Sequence, residues 1–205
     1  MANTDAAFGL KPLRMLGSAV NSSGDVVYSI QTASTAGTSS VVYQGSPVIP
    51  LANGLINIVG SASGGTVPLL GVFMGCNYVD LEGKPRWSPF WPGTAAVKAS
   101  TPATAMIVSD PDAVFVINCD AAAADSIIHA NANFGTATSG SSSTGLSSAE
   151  LAVSTVNTTN TLNLRILGFL DTPNDSDPTV AGRIAMVQLN NHFYRYGANG
   201  AGAGV

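Results

Sequence analysis

The sequence predicts an all-β fold, a compact sandwich or barrel, and three observations carry that reading. Short β-branched or alternating runs recur along the whole chain, separated by Gly, Pro, Asn and Ser, which is the pattern of strands and turns. Residues that favour long helices are scarce: there are two Glu and three Lys in 205 residues. No repeat of 20–50 residues is visible, which argues against solenoids and propellers.

In chain order the strand candidates are 26–31, 41–44, 48–51, 55–59, 69–79, 95–98, 106–109, 114–118, 126–130, 161–170 and 183–190. Alternation is cleanest at 162–166, where Leu162, Leu164 and Ile166 share one face and Asn163 and Arg165 the other. One or two short helices at most complete the expectation. Ser147 to Glu150 fits a capping box ahead of Leu151, and the Ala-rich stretch 120–128 favours helix. Residues 1–14 read as an extended N-terminal arm, 15–196 as a single β domain and 197–205 as a flexible Gly/Ala tail. Within the domain, 135–148 reads as an exposed Ser/Gly-rich loop.

Composition excludes several functions. Only 10 % of residues are charged, the net charge is −4 and the pI is about 4.8. A nucleic-acid binder needs a basic footprint, so no nucleic-acid partner is expected. A disordered chain needs low hydrophobicity, yet mean hydropathy is +0.28. The longest apolar stretch, 67–74, is far short of the roughly 20 residues of a membrane span. The start lacks the basic and apolar regions of a signal peptide, so a soluble cytoplasmic product with no membrane partner is expected. Cys76 and Cys119 could form one bridge, but both sit in apolar strand-like contexts, which favours free buried thiols.

Catalytic chemistry is sparse. The nearest string to a nucleophile elbow, 60–64, has Ala62 where Ser is required. His129 and His192 have no acidic or cysteine neighbours at ligand spacing, and the Gly-rich end has no strand-to-helix unit for a dinucleotide. The loop from Asp171 to Asp177 offers hard oxygen ligands without the spacing of a calcium loop, and its Asp, Asn, Ser and Pro are turn formers. No enzyme activity, metal or cofactor is therefore expected. The segment 84–93 holds both tryptophans, Trp87 and Trp91, beside Arg86. It reads as a Pro-rigidified cover over a barrel end or as an interface, with sugar stacking as a further use.

The opening 3–14, Asn-Thr-Asp-Ala-Ala-Phe-Gly-Leu-Lys-Pro-Leu-Arg, resembles that of capsid decoration, or cement, proteins of tailed bacteriophages. Further strings of the resemblance follow in order: 45–48, 70–75, 109–116, 164–173 and 187–192. The Gly/Ala tail and the Ser-rich loop depart from it. The resemblance implies a virion protein on the outer surface of an icosahedral head, stabilising contacts between capsomers without catalysis. Its implied partners are the major capsid protein and itself, as a homotrimer. The contact candidates are Phe8, Leu10, Lys11 and Arg14 on the arm, with Arg86, Trp87 and Trp91. The alternative is a receptor- or glycan-binding β module of a virion fibre. The low charge fits the first reading, because neutral surface is easily hidden against neighbours whereas charge there costs desolvation.

Overall fold

Twelve strands and two single 3-10 turns make up the regular structure of the computed structural model, which describes residues 3–16, 25–61, 63–64, 67–173 and 175–195. The strands are β1 (Lys11–Met15), β2 (Asp25–Gln31), β3 (Pro47–Pro50), β4 (Ile56–Ile58), β5 (Gly71–Val79) and β6 (Pro85–Ser88). They continue with β7 (Ala103–Val108), β8 (Ala113–Asn118), β9 (Asn131–Phe134), β10 (Leu151–Asn157), β11 (Leu164–Phe169) and β12 (Ile184–Leu189). The first sheet runs β1-β8-β12-β11-β9-β10; the second runs β2-β7-β5-β3-β4, with β6 paired to β5. Every pairing between these strands is antiparallel, and the all-β expectation holds.

Both sheets curl. In the first, Leu151 at the start of β10 bridges Cys119 at the end of β8, so the last strand returns towards the second. In the second, β2 approaches β4 across the far side. Each curl encloses a core. Phe115, Ile117, Phe134, Leu164, Ile166 and Val187 fill the first. Ile30, Val48, Phe73, Trp91 and Ile107 fill the second. Adjacent residues on one strand divide between them: Val72 and Val108 join the first core, Phe73 and Ile107 the second. The alternating face of a strand thus ties the two sheets together.

Several sequence expectations change. The N-terminal segment is laid along the domain from Asn3 onward. Asn3 Nδ2 donates to the Asp177 carbonyl (2.8 Å), and the Thr4 amide donates to Asp175 Oδ1 (2.8 Å). Lys11–Met15 is an edge strand of the first sheet. Gly9 makes this possible. Its φ is +74°, and a Cβ there would stand 2.8 Å from Ser147 Cβ and 2.9 Å from the Gly45 carbonyl oxygen. The chain passes that narrow point and places Leu10 in the first core.

Among the described residues, helix is limited to two 3-10 turns, Thr94–Ala96 and Asp125–Ile127, as the expectation of one or two short helices at most allows, but 147–151 is not helical. Leu151 opens β10, because its side chain belongs to the first core and β9 offers a pairing edge. The Ala-rich stretch forms only a 3-10 turn at Asp125–Ile127, with Ala123 buried. Tertiary packing overrides weak propensity at both places. The 135–148 loop is exposed at 138–139 and 141–144, whereas Ala137 and Ser147 are buried and Gly140 bridges Ser147. The expected tail lies outside the described residues.

Candidate functional site

Among the described residues no group of three His, Cys, Asp or Glu is placed to hold a metal ion. Cys76 and Cys119 are free and buried, one in each core, and burial pushes both thiols up to about 12. His192 is buried; its Nδ1 accepts the Tyr194 amide (3.1 Å), which leaves the proton on Nε2. Burial, then the Arg195 charge, hold its imidazole down to about 4. Glu150 is raised by burial and by the neighbouring Asp5 and Asp120 carboxylates. A cleft of about 510 Å³ has an uncharged lining in which the hydroxyls of Ser40, Tyr43 and Ser139 alternate with apolar Val41, Ile58 and Val59. No described helix is long and apolar enough to cross a membrane.

The arm candidates lie together but play different parts. Leu10 is buried, so it anchors the strand and presents nothing to a partner. That corrects its expected contact role: apolar burial in the first core wins over exposure. Phe8 is half-buried, and Lys11 Nζ sits 4.6 Å from its ring centroid. Lys11 and Arg14 are exposed. The register shift between Pro12 and Arg14 bulges the strand, and Leu13 stands out from it. A proline, a bulge and two cations on a free edge discourage uncontrolled strand pairing.

The tryptophan segment divides. Trp91 is 0 % exposed: Nε1 donates to the Thr38 carbonyl (2.9 Å), and the ring meets Tyr78 edge-on at 6.0 Å. It is a core residue, which corrects its expected contact role. Trp87 is 57 % exposed on β6, with its ring lying over Gly75, where a Cβ would stand 3.2 Å from ring carbon Cζ2. Arg86 is exposed too, but its Nε donates to Asp80 Oδ2 at 2.5 Å, and this holds the Asp80 carboxyl below its ordinary value.

The structure therefore brings Phe8, Lys11 and Arg14 together at one end of the first sheet, and Arg86 and Trp87 on a hairpin of the second. The sequence reading missed Asp80 as the partner of Arg86. A turn over 80–83 with Asp80 and Glu82 facing Lys84 and Arg86 was the available signal. No family model, curated protein or solved structure matches the chain.

Proposed function

We propose that the chain is a capsid decoration, or cement, protein of a tailed bacteriophage, which binds the outer surface of an icosahedral head and acts without catalysis. One observation carries most of the support: an exposed edge strand, β1, bears cations with no carboxylate partner among the described residues, while Leu10 fixes it to the domain. Such a strand presents its side chains in a fixed geometry, so little conformational entropy is lost on docking. Many copies on a symmetric shell then need only modest affinity each. The partners proposed are the major capsid protein and, within a homotrimer, the chain itself. Exposed Leu13, Val27, Leu81, Trp87 and Tyr194 are available for such contacts.

The test is to mix the purified chain with preformed shells of the major capsid protein and image them. Added density on the outer surface, at or near threefold positions, supports the reading. A chain that stays in the supernatant sinks it. A second reading, glycan binding, rests on the exposed Trp87 ring alone, since Trp91 is buried. Glycan binding that disappears in Trp87→Ala would favour it.

A further inference from the structure

Four of the eight cations have carboxylate partners. Lys84 pairs with Glu82 (2.9 Å), Arg86 with Asp80, Arg183 with Asp125 and Asp171 (2.8 and 3.0 Å), and Arg195 with Asp112. Lys11, Arg14, Lys98 and Arg165 have none within ion-pair distance among the described residues. Arg165 Nε makes only a neutral contact, to Asn131 Oδ1 at 3.4 Å.

The register gathers three of those four on one face. Arg14 of β1 lies beside Val114 of β8, Val114 beside Gln188 of β12, Gln188 beside Arg165 of β11, and Arg165 beside Asn131 of β9. Partners in register project to the same side of a sheet. Two residues along β8, Val116 lies beside Lys11 and therefore on that same side. Phe115 between them points into the first core, so this side faces away from it. Arg14 and Arg165 are three strand spacings apart, about 14 Å. Between them Val114 and Gln188 are buried, and the Gln188 amide donates to the Pro111 carbonyl (3.0 Å). The nearest carboxylate along β8's approach, Asp112, is held by Arg195.

We propose that the exposed cations of this face, Lys11, Arg14 and Arg165, standing on either side of the covered Val114 and Gln188, are the anchors of a docking surface for a carboxylate-rich surface of another protein. It deepens the decoration reading and rests on it only for the identity of that protein. The chemistry selects the class of partner. Two of the three anchors are guanidinium groups, whose planar donor fork matches carboxylate and phosphate alike, so the number of cations decides between them. Three cations release too few counterions to hold a phosphate backbone at physiological salt. A protein surface with carboxylates about 14 Å apart fits the spacing instead.

The probe is a glutamate-rich peptide, added to the full chain at low salt while backbone amide shifts are followed. The largest shifts are expected around Lys11, Arg14 and Arg165. Binding should weaken at least about tenfold in R14E/R165E and in the same direction in R14Q/R165Q, which adds no carboxylate to the sheet. Lys98, also exposed and unpaired but off this face, supplies the charge-matched control: K98E should change affinity less than about twofold. Shifts centred elsewhere, an equal loss in K98E, or tighter binding of a single-stranded oligonucleotide than of the peptide overturns the proposal. So does a self-association that R14E/R165E abolishes. The shells separate the two readings. If the peptide binds this face and shells are ignored, the decoration reading falls and the face stands. If shells bind wild type and R14E/R165E equally, the decoration reading stands and the face falls.

Discussion

Strands β1 and β6 make an instructive pair. Each is short, largely exposed and flanks a curled sheet. Each is tethered by one buried residue, Leu10 just before β1 and Trp91 just after β6. Each has two cations on or beside it: Lys11 and Arg14 in one case, Lys84 and Arg86 in the other. They differ in what lies across from those cations. The 80–83 turn beside β6 returns Asp80 and Glu82 to Arg86 and Lys84. Strand β1 instead runs along the neutral Val114 to Val116 stretch of β8, so its charges meet no carboxylate among the described residues. Counting cations in the sequence gives the two flanks equal weight. Only the pairing shows that one is self-neutralised and that the other has no carboxylate partner among the described residues.

The largest effects are expected at the tethers, and they show whether the two flanks are held alike. Trp91→Ala removes a fully buried ring, its hydrogen bond to Thr38 and its edge contact with Tyr78. A loss of about 3–5 kcal/mol in chemical denaturation is expected. Leu10→Ala should lose about 2–5 kcal/mol, since it empties a site in the first core. A Leu10→Ala loss below about 1 kcal/mol would mean that β1 is a loosely attached arm after all. For the same reason, removing residues 2–12 would combine lost docking with lost stability. Point changes at Lys11 and Arg14 separate the two.

The junction between the sheets carries an acid sensitivity that belongs to neither flank. The Leu69 amide donates to Asn191, the Phe193 amide donates to Leu69, and Tyr28 and Tyr194 share a hydroxyl contact at 2.9 Å. His192 sits in the middle of this seam, held neutral with a pKa of about 4 against an ordinary 6.5. Above pH 6.5 both folded and unfolded chains have it neutral, and the seam is at full strength. Between 6.5 and about 4 the unfolded chain takes up the proton that the folded chain refuses, so stability falls as the pH falls. Below about 4 both forms are protonated and this group costs nothing more. The whole loss is about 3 kcal/mol. Denaturation curves through that window should flatten in His192→Gln; an unchanged slope would remove His192 as the cause.

How much of this was legible beforehand follows from range. Alternation at 162–166 is a local signal, and it placed Leu164 and Ile166 in the core and Arg165 outside. Eight of the twelve strands coincide with expected runs; β1, β6, β9 and β10 do not, and 41–44, 95–98 and 126–130 form bridges or turns instead of strands. Leu10 and Trp91 were misread because their burial depends on distant partners: Gly45 for the first, Thr38 and Tyr78 for the second. The 147–151 capping pattern was sound local chemistry that lost to a pairing edge offered by β9. Arg165 was placed on the right face, but nothing local says that Arg14, some 150 residues earlier in sequence, lies in the same row. Site residues joined only through strand order are invisible without the order.

The smallest expected effect tests the contrast between β1 and β6 most directly, because it removes the counter-charge and little else. In Asp80→Asn the side-chain oxygen still accepts the Lys84 amide, a 2.8 Å bond in the native protein, while Arg86 is freed. The native pair persists above the ordinary carboxylate range and is lost only as the pH falls through the depressed Asp80 value, so mild acid leaves β6 neutralised. The denaturation midpoint should barely move, as exposed pairs contribute little. With the glutamate-rich peptide, the shifts should stay at Lys11, Arg14 and Arg165, with no second set over Pro85–Ser88. One freed guanidinium lacks the row of cations that the first sheet aligns across its strands. If a new set of shifts does appear at β6, then unpaired charge alone defines the site, and the alignment of Arg14 with Arg165 is incidental.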